Sequence, residues 1–175
     1  MFGIKFITLN NLNDLPDLNN RLRNYAPSPS VPINLGELKY HYIEICNSQR
    51  KYRRLHEFQI LPELEAHSLR HVSNMASKKD IWHGGCQNQK TCQAIGALSP
   101  QRASFSENVG MIDNNANRSA YSLALEFFDY FLTSPSGHGE NLVHPLHTHH
   151  GVAVEMNTIH GVPVYFMCHT FCHWR

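Results

Sequence analysis

Two apolar runs near the end of the chain constrain its fold most strongly. The runs "HGVAVEMN" and "VPVYFMCHTF" are rich in β-branched and aromatic residues, and only "TIHG" separates them. Two such runs joined by a short connection that contains glycine are typical of a β-hairpin. We therefore expect two antiparallel strands, at residues 150–157 and 162–171.

Three stretches with helical periodicity precede this hairpin. The first begins near His41, the second begins at Pro62 in "PELEAHSLRHVSNMA", and the third is "RSAYSLALEFFDYFLTS" at residues 118–134. Apolar residues spaced three or four apart predict a buried stripe on each helix. In the second helix the stripe comprises Leu64, Leu69, Val72 and Met75. The intervening residues 84–118 are rich in Gly, Asn, Gln and Ser, and this composition indicates a loop with at most one helical turn. Helices followed by antiparallel strands predict an α+β protein in which the helices pack on a sheet.

The N-terminal part differs in composition from the rest of the chain. "APSPSVP" places three prolines within seven residues, which favours a stiff, extended connector. We interpret residues 1–40 as an N-terminal extension and residues 41–175 as one domain. No apolar run approaches the ~20 residues needed to cross a bilayer. The first residues also lack the apolar core and cleavage site of a signal peptide, so a cytosolic location and a removed signal are both open.

The charge balance gives no indication of a nucleic-acid or membrane-surface partner. The chain carries 15 Lys plus Arg and 14 Asp plus Glu, a formal net charge of +1, so nothing favours a nucleic acid or an anionic membrane surface. The five cysteines include two closely spaced pairs, Cys86 with Cys92 and Cys168 with Cys172. Disulfides and reduced thiols are both compatible with this spacing, and the odd number leaves at least one thiol outside any intramolecular pair.

The thirteen residues from His138 to His150 contain five histidines. If strand alternation begins near His147, then His147 and His149 share one face and His150 points to the other. An H-x-H pair on a strand is a possible metal-ligand pair, but no third ligand follows at the spacing that such sites use, and H-E-x-x-H is absent. We interpret four of them mainly as solvated loop residues, with an auxiliary metal or pH-sensing role as the alternative: His144, His147, His149 and His150.

Four blocks follow one another along the chain: "NSQR", "ELEAHSLRHVSNMASKKDIWH", "SENVG" and "TSPSGHGENLVHPLHTHHGVAVEM" with the strand "VPVYFMCHTF". In this order they resemble the bacterial form of the CAP superfamily, which comprises cysteine-rich secretory, antigen 5 and pathogenesis-related 1 proteins. The resemblance covers about residues 41–172 and implies an α-β-α sandwich with a central antiparallel sheet. It also implies secretion or a periplasmic location, although a cytoplasmic location stays open.

The resemblance further implies a central cleft lined by histidines and glutamates. Residue by residue, His83 matches the first histidine, Glu107 the first glutamate and His138 the second histidine. Glu126 lies on the helix where the family's second glutamate is found, so it is the candidate for that position. Two imidazoles with open positions around them suit a divalent transition metal such as zinc, and we expect His83 and His138 to be its ligands.

Three functions are compatible with these residues. The first is a non-catalytic binding module that takes a metal, a small molecule or a protein ligand. The second is a metal-assisted hydrolase in which Glu107 accepts a proton from a metal-bound water. The third, by analogy within the family, is a lipid or sterol carrier that uses an apolar face on the third helix; this face comprises Tyr121, Leu125, Phe128, Phe131 and Leu132. No G-x-S-x-G motif is present, and the sequence does not locate a nucleophilic serine.

Overall fold

The computed structural model of the protein describes residues 32–84 and 105–172, and within them it contains four helices and four strands. The helices are α1 (Leu35–Tyr52), α2 (Pro62–Lys78), α3 (Ala120–Leu132) and α4 (His138–Val143). The strands are β1 (Gln59–Ile60), β2 (Phe105–Asp113), β3 (His149–Ile159) and β4 (Val162–Cys172). None of these helices combines the length and the apolar character that a membrane crossing requires.

The strands form one sheet in the order β1-β3-β4-β2. β4 is antiparallel to both β3 and β2, whereas the short β1 runs parallel to β3. The predicted hairpin is confirmed, and its turn is His160–Gly161, where φ is 49° and 81°. Two positive φ values in a two-residue loop are the geometry that matches the right-handed twist of the flanking strands.

Helices cover both faces of the sheet. One core cluster joins α1, α3 and α4 to one face, with Tyr42, Phe127 and Leu142 packed against the strands. The other cluster joins α2 to the opposite face, through Val72 and Met75. The predicted α-β-α sandwich of the α+β class is therefore confirmed.

The ends of the helices follow from local chemistry. The side chain of Asn34 accepts hydrogen bonds from the backbone N–H groups of Gly36 and Glu37, which caps the start of α1. The first six residues of this helix, 35–40, belong to the stretch interpreted above as the N-terminal extension. Pro62 begins α2 as predicted, but Leu69 in its predicted stripe is 51% exposed.

Strand β2 contradicts the predicted loop at residues 84–118; residues 85–104 of that stretch lie outside the described part of the chain. The strand was missed because Glu107, Asn108 and Gly110 interrupt its apolar pattern, although all three are buried. A Cβ atom at Gly110 would lie 3.1 Å from the ring of Tyr130, so α3 packs closely on this strand.

Gly151 fixes the distance between α2 and the sheet. A Cβ atom there would lie 2.2 Å from backbone atoms of both Leu64 and Glu65, far inside van der Waals contact. The helix thus lies directly on β3, and this close approach sets the height of α2 above the sheet.

The cysteine pair in "CHTFC" does not form a disulfide: Cys168 and Cys172 are both buried thiols. The two residues are four apart on β4, which places them about 13 Å apart along an extended strand, too far for an S–S bond. Cys86 and Cys92 lie outside the described residues.

Two of the histidines that the sequence pattern places in a solvated loop or at a strand end are buried instead. His147 is 3% exposed and His150 is fully buried. The expectation failed because these imidazoles pack with other rings: His147 stacks on Phe171, and His150 stacks on Phe58 at 4.9 Å.

His150 also belongs to a buried polar chain between α1 and the sheet. The hydroxyl of Tyr42 lies 2.9 Å from Nδ1 of His169, and Nε2 of His169 lies 3.0 Å from Nδ1 of His150. Burial lowers the pKa of His150 to about 3 and lowers the pKa of His169 well below 6.5; neighbouring charges, including Arg50, add to both effects. Both imidazoles are therefore neutral in the folded protein.

We expect the buried histidines His150 and His169 to make the free energy of unfolding depend on pH. An unfolded histidine takes up a proton near pH 6.5, whereas these two resist protonation when folded, so stability is complete above pH 6.5 and falls as the pH decreases toward 3. At about 1.4 kcal/mol per pH unit and residue, the free energy of unfolding drops by about 4 kcal/mol between pH 7.5 and pH 5. Urea denaturation at a series of pH values measures it.

The matched variants separate this effect from other titrating groups. His150→Gln/His169→Gln keeps hydrogen-bonding side chains that do not titrate, and it should remove most of the drop. The control His56→Gln/His160→Asn alters two exposed histidines and should retain it. An unchanged pH dependence in the first variant would contradict the prediction.

Candidate functional site

A buried carboxylate on β2, that of Glu107, is surrounded by three histidines. Its Oε1 atom lies 3.3 Å from Nδ1 of His83 and 4.0 Å from Nε2 of His71. Its Oε2 atom lies 3.6 Å from Nε2 of His67. The side chain of Glu107 is only 4% exposed, so this cluster supplies the compensation that a buried negative charge requires.

The cluster controls the ionisation of Glu107. Burial alone would raise the pKa of this carboxyl group. The contact with His67 at 3.6 Å and the hydrogen bond from His83, together with the charges of His71 and His83, outweigh that effect and lower the pKa to about 2. Glu107 is therefore an anion throughout the physiological pH range.

His71 holds the segment that carries His83. Its Nε2 atom lies 2.7 Å from the carbonyl oxygen of Trp82, to which it donates a hydrogen bond. Gly84 lies across the same ring, where an added Cβ atom would be 2.3 Å from Cε1 of His71. These contacts bring His83 to Glu107, while 49% of the His83 side chain stays exposed.

His138 lies beside His83 at the start of α4. The two ring centroids are 5.5 Å apart, and the ring of Phe131 contacts His138 edge-on from α3. Burial, and then the charge of His83, lowers the pKa of His138 to about 4, so this imidazole is neutral at pH 7. Its Nδ1 atom is buried and has no hydrogen-bond partner within the described residues.

Hydrogen bonds of two asparagine side chains hold α4 against the edge strand β2. The amide of Asn108 donates to the carbonyl oxygen of His138 at 2.9 Å, and the amide of Asn141 donates to the side-chain oxygen of Asn108 at 2.8 Å.

The buried Arg50 of α1 binds the backbone at the end of α4 and in the segment after it. Its guanidinium donates to the carbonyl oxygens of Leu142, His144 and His147 at 3.0, 3.1 and 2.7 Å.

The structure thus brings together three of the four site residues named from the sequence: His83, Glu107 and His138. Glu126 instead lies in the middle of α3 and forms an ion pair with Arg118, which precedes the helix. Burial raises the pKa of Glu126, and the charge of Arg118 partly opposes that shift.

Sequence reasoning missed two members of the cluster, His67 and His71. Their spacing of four residues places them on one face of α2, and this was the signal that could have identified them. The apolar stripe alone does not indicate them, because the buried face of α2 is wider than that stripe and includes both imidazoles. In the described part of the chain, no three side chains of His, Cys, Asp or Glu are already spaced to hold a metal ion.

The sequence comparisons identify the family. The family model described as "CAP: Cysteine-rich secretory protein family" matches residues 43–170, so the chain belongs to the CAP family, as the motifs predicted. A search of curated proteins finds no match.

Three solved structures share the fold. An outer surface protein from Borrelia burgdorferi is 16% identical with a TM-score of 0.60, and the match covers 84% of this chain and 100% of that one. A cysteine-rich secretory protein from Staphylococcus aureus is 13% identical with a TM-score of 0.57, covering 81% of this chain and 40% of that one. An extracellular protein containing an SCP domain from Bacillus anthracis is 16% identical with a TM-score of 0.58, covering 90% and 50%. At these identities the likeness concerns the fold.

We expect Glu107→Gln to fold but to lose stability at neutral pH. Glutamine has the shape of the protonated carboxyl group, so the variant loses what the lowered pKa represents, about 3 kcal/mol at pH 7. This contribution is present above pH 4.5 and is lost as the pH falls toward 2. Urea denaturation at pH 7 in the presence of a chelator measures it.

Glu126→Gln is the matched control. Its carboxylate is 36% exposed and paired with Arg118, and we expect a change below about 1 kcal/mol. Equal losses in the two variants would show that the histidines around Glu107 do not stabilise its charge.

Proposed function

We propose that this chain is a binding module whose cleft, formed by His83, Glu107 and His138, takes up a divalent transition metal, with zinc as the first candidate. The observation that carries the proposal is the buried Nδ1 atom of His138, which lacks a partner among the described residues while its ring lies beside that of His83. A buried nitrogen without a partner costs free energy, and a metal ion is one partner that would remove this cost.

Glu107 supports the same proposal from behind His83. Because a carboxylate can only accept, Nδ1 of His83 carries the hydrogen in the 3.3 Å contact, and in the neutral imidazole Nε2 has a lone pair for a metal. The negative charge of Glu107 also favours a cation nearby.

Two imidazoles fill only part of a zinc coordination sphere. The remaining positions would be taken by water or by donor atoms of a small ligand or partner protein, and the bound metal would polarise whatever occupies them. Because the side chains of the cleft are not already spaced to hold a metal ion, binding requires one of them to rotate. His83, whose side chain is 49% exposed, has the room to do so.

The two other functions receive less support. A carboxylate with a pKa of about 2 is a poor proton acceptor, which disfavours a hydrolase that uses Glu107 as its base. The apolar residues of α3 do not form one ligand-facing surface: Phe128 and Phe131 are packed in the core, whereas Tyr121 and Leu125 are exposed. A lipid carrier therefore rests on analogy alone.

We propose a secreted or periplasmic location as well. It is supported by the names of the similar structures, which describe an outer surface protein, a secretory protein and an extracellular protein.

The test is the metal content and zinc affinity of the purified protein at pH 7.5 and pH 5.5. We expect near-stoichiometric zinc at pH 7.5 and weaker binding at pH 5.5, because protons compete for the imidazole nitrogens. The variant His83→Ala/His138→Ala should lose the metal, and the control His56→Ala, which alters an exposed histidine on another part of the fold, should keep it.

Either of two other outcomes would overturn the proposal. Metal that survives in His83→Ala/His138→Ala would place the site elsewhere, with His147 and His149 as the next residues to replace. A wild-type protein that takes up no zinc would leave the cleft as a hydrogen-bonded structural feature.

A further inference from the structure

A serine–histidine pair lies at the start of β2, on the opposite face of the strand from Glu107. The Oγ atom of Ser106 is 3.4 Å from Nε2 of His147. Ser106 is half-buried, whereas His147 is 3% exposed. Successive residues of a strand point to opposite faces, so Ser106 and Glu107 lie on opposite sides of the sheet.

The partner of the other ring nitrogen fixes the tautomer of His147. Its Nδ1 atom lies 3.1 Å from the carbonyl oxygen of Asn141. A carbonyl oxygen can only accept, so Nδ1 carries the hydrogen and Nε2 presents its lone pair to Ser106. The hydroxyl of Ser106 is then the donor in the 3.4 Å contact.

Packing holds the imidazole in this orientation. The ring of His144 stacks on one side at 4.4 Å, and the ring of Phe171 is nearly parallel to it at 5.4 Å. The guanidinium of Arg50 binds the carbonyl oxygen of His147 at 2.7 Å, which anchors its backbone. A base that is oriented by a third group and lies within reach of a hydroxyl is the arrangement that activates serine nucleophiles.

We propose that Ser106 is a nucleophile activated by His147 and that it accepts acyl groups from small activated esters. The half-buried position of Ser106 favours a small acyl group. The orienting group is a neutral carbonyl, which stabilises an imidazolium less than a carboxylate does, so substrates need a good leaving group.

The chemistry balances within the protein and its substrate. Oγ of Ser106 forms a bond to the ester carbonyl carbon while its proton moves to Nε2 of His147. The bond from that carbon to the leaving oxygen breaks, and the alcohol departs with the proton from His147. Water then attacks the acyl-serine, gives one proton to His147, and releases the acid with Ser106 restored.

The experiment uses the full chain, a chelator and two probes, diisopropyl fluorophosphate and p-nitrophenyl acetate. With the first probe, Oγ of Ser106 bonds to phosphorus, the P–F bond breaks, and fluoride leaves. We expect one adduct per chain, mapped to Ser106 by peptide mass spectrometry, and p-nitrophenol release that exceeds the buffer rate. The chelator excludes metal chemistry, so the result is independent of the zinc proposal.

The variants make the result specific. Ser106→Ala should abolish the adduct and the release, and Ser122→Ala, which removes an exposed serine on α3, should change neither. His147→Gln should slow labelling at least about 100-fold, the lower end of what a general base contributes. Circular dichroism and thermal unfolding check that each variant is folded.

Three results would overturn the proposal: no adduct on the wild-type protein, an adduct on another residue, or labelling of Ser106 at an unchanged rate in folded His147→Gln. If His147→Gln does not fold, the Ser106→Ala and Ser122→Ala pair still decides whether Ser106 is the nucleophile.

Discussion

The pairing of β3 with β4 is the constraint on which the rest of the structure depends, because both helical layers pack on these two strands. The turn at His160–Gly161 sets their register, in which Ile159 pairs with Val162 and His150 pairs with Phe171. A slip of one residue would turn every side chain to the other face of the sheet. The contacts of both helical layers with these strands therefore depend on this register.

The register also assigns chemistry to faces. His169 points toward α1, where it meets Tyr42, whereas its neighbour Cys168 points toward α2, with its sulfur 3.7 Å from Oε2 of Glu107. Strand β2 repeats this division at the edge of the sheet, with Ser106 on one face and Glu107 on the other. One short stretch of edge strand thus carries polar side chains on both faces of the sheet, and α4 contacts both groups, through His138 and through the carbonyl oxygen of Asn141.

Sequence patterns predicted the parts of this fold that follow a simple period. The hairpin and the cores of α1, α2 and α3 alternate apolar and polar residues as a strand or a helix requires, and ordered motifs pointed to His83, Glu107 and His138. The patterns failed where buried residues are polar. The pattern of β2 predicts a loop because Glu107 and Asn108 are residue types typical of a surface, yet both are buried by partners that are distant in sequence. His150 and His169 were missed for the same reason, since their burial depends on Tyr42 and on each other.

The position of β4 has a consequence for how the chain acquires its structure during synthesis. This strand lies between β3 and β2 in the sheet, yet it is the last element of the fold in sequence. Tyr42 meets His169 across 127 positions, and Ser68 meets Thr170 across 102. Neither helical layer can complete its core before residues 162–172 have left the ribosome. Until then, the apolar faces of α1 and α2 lack the strand on which they pack. Contacts of such long sequence separation slow folding, and here they leave the core incomplete until the last strand has been made.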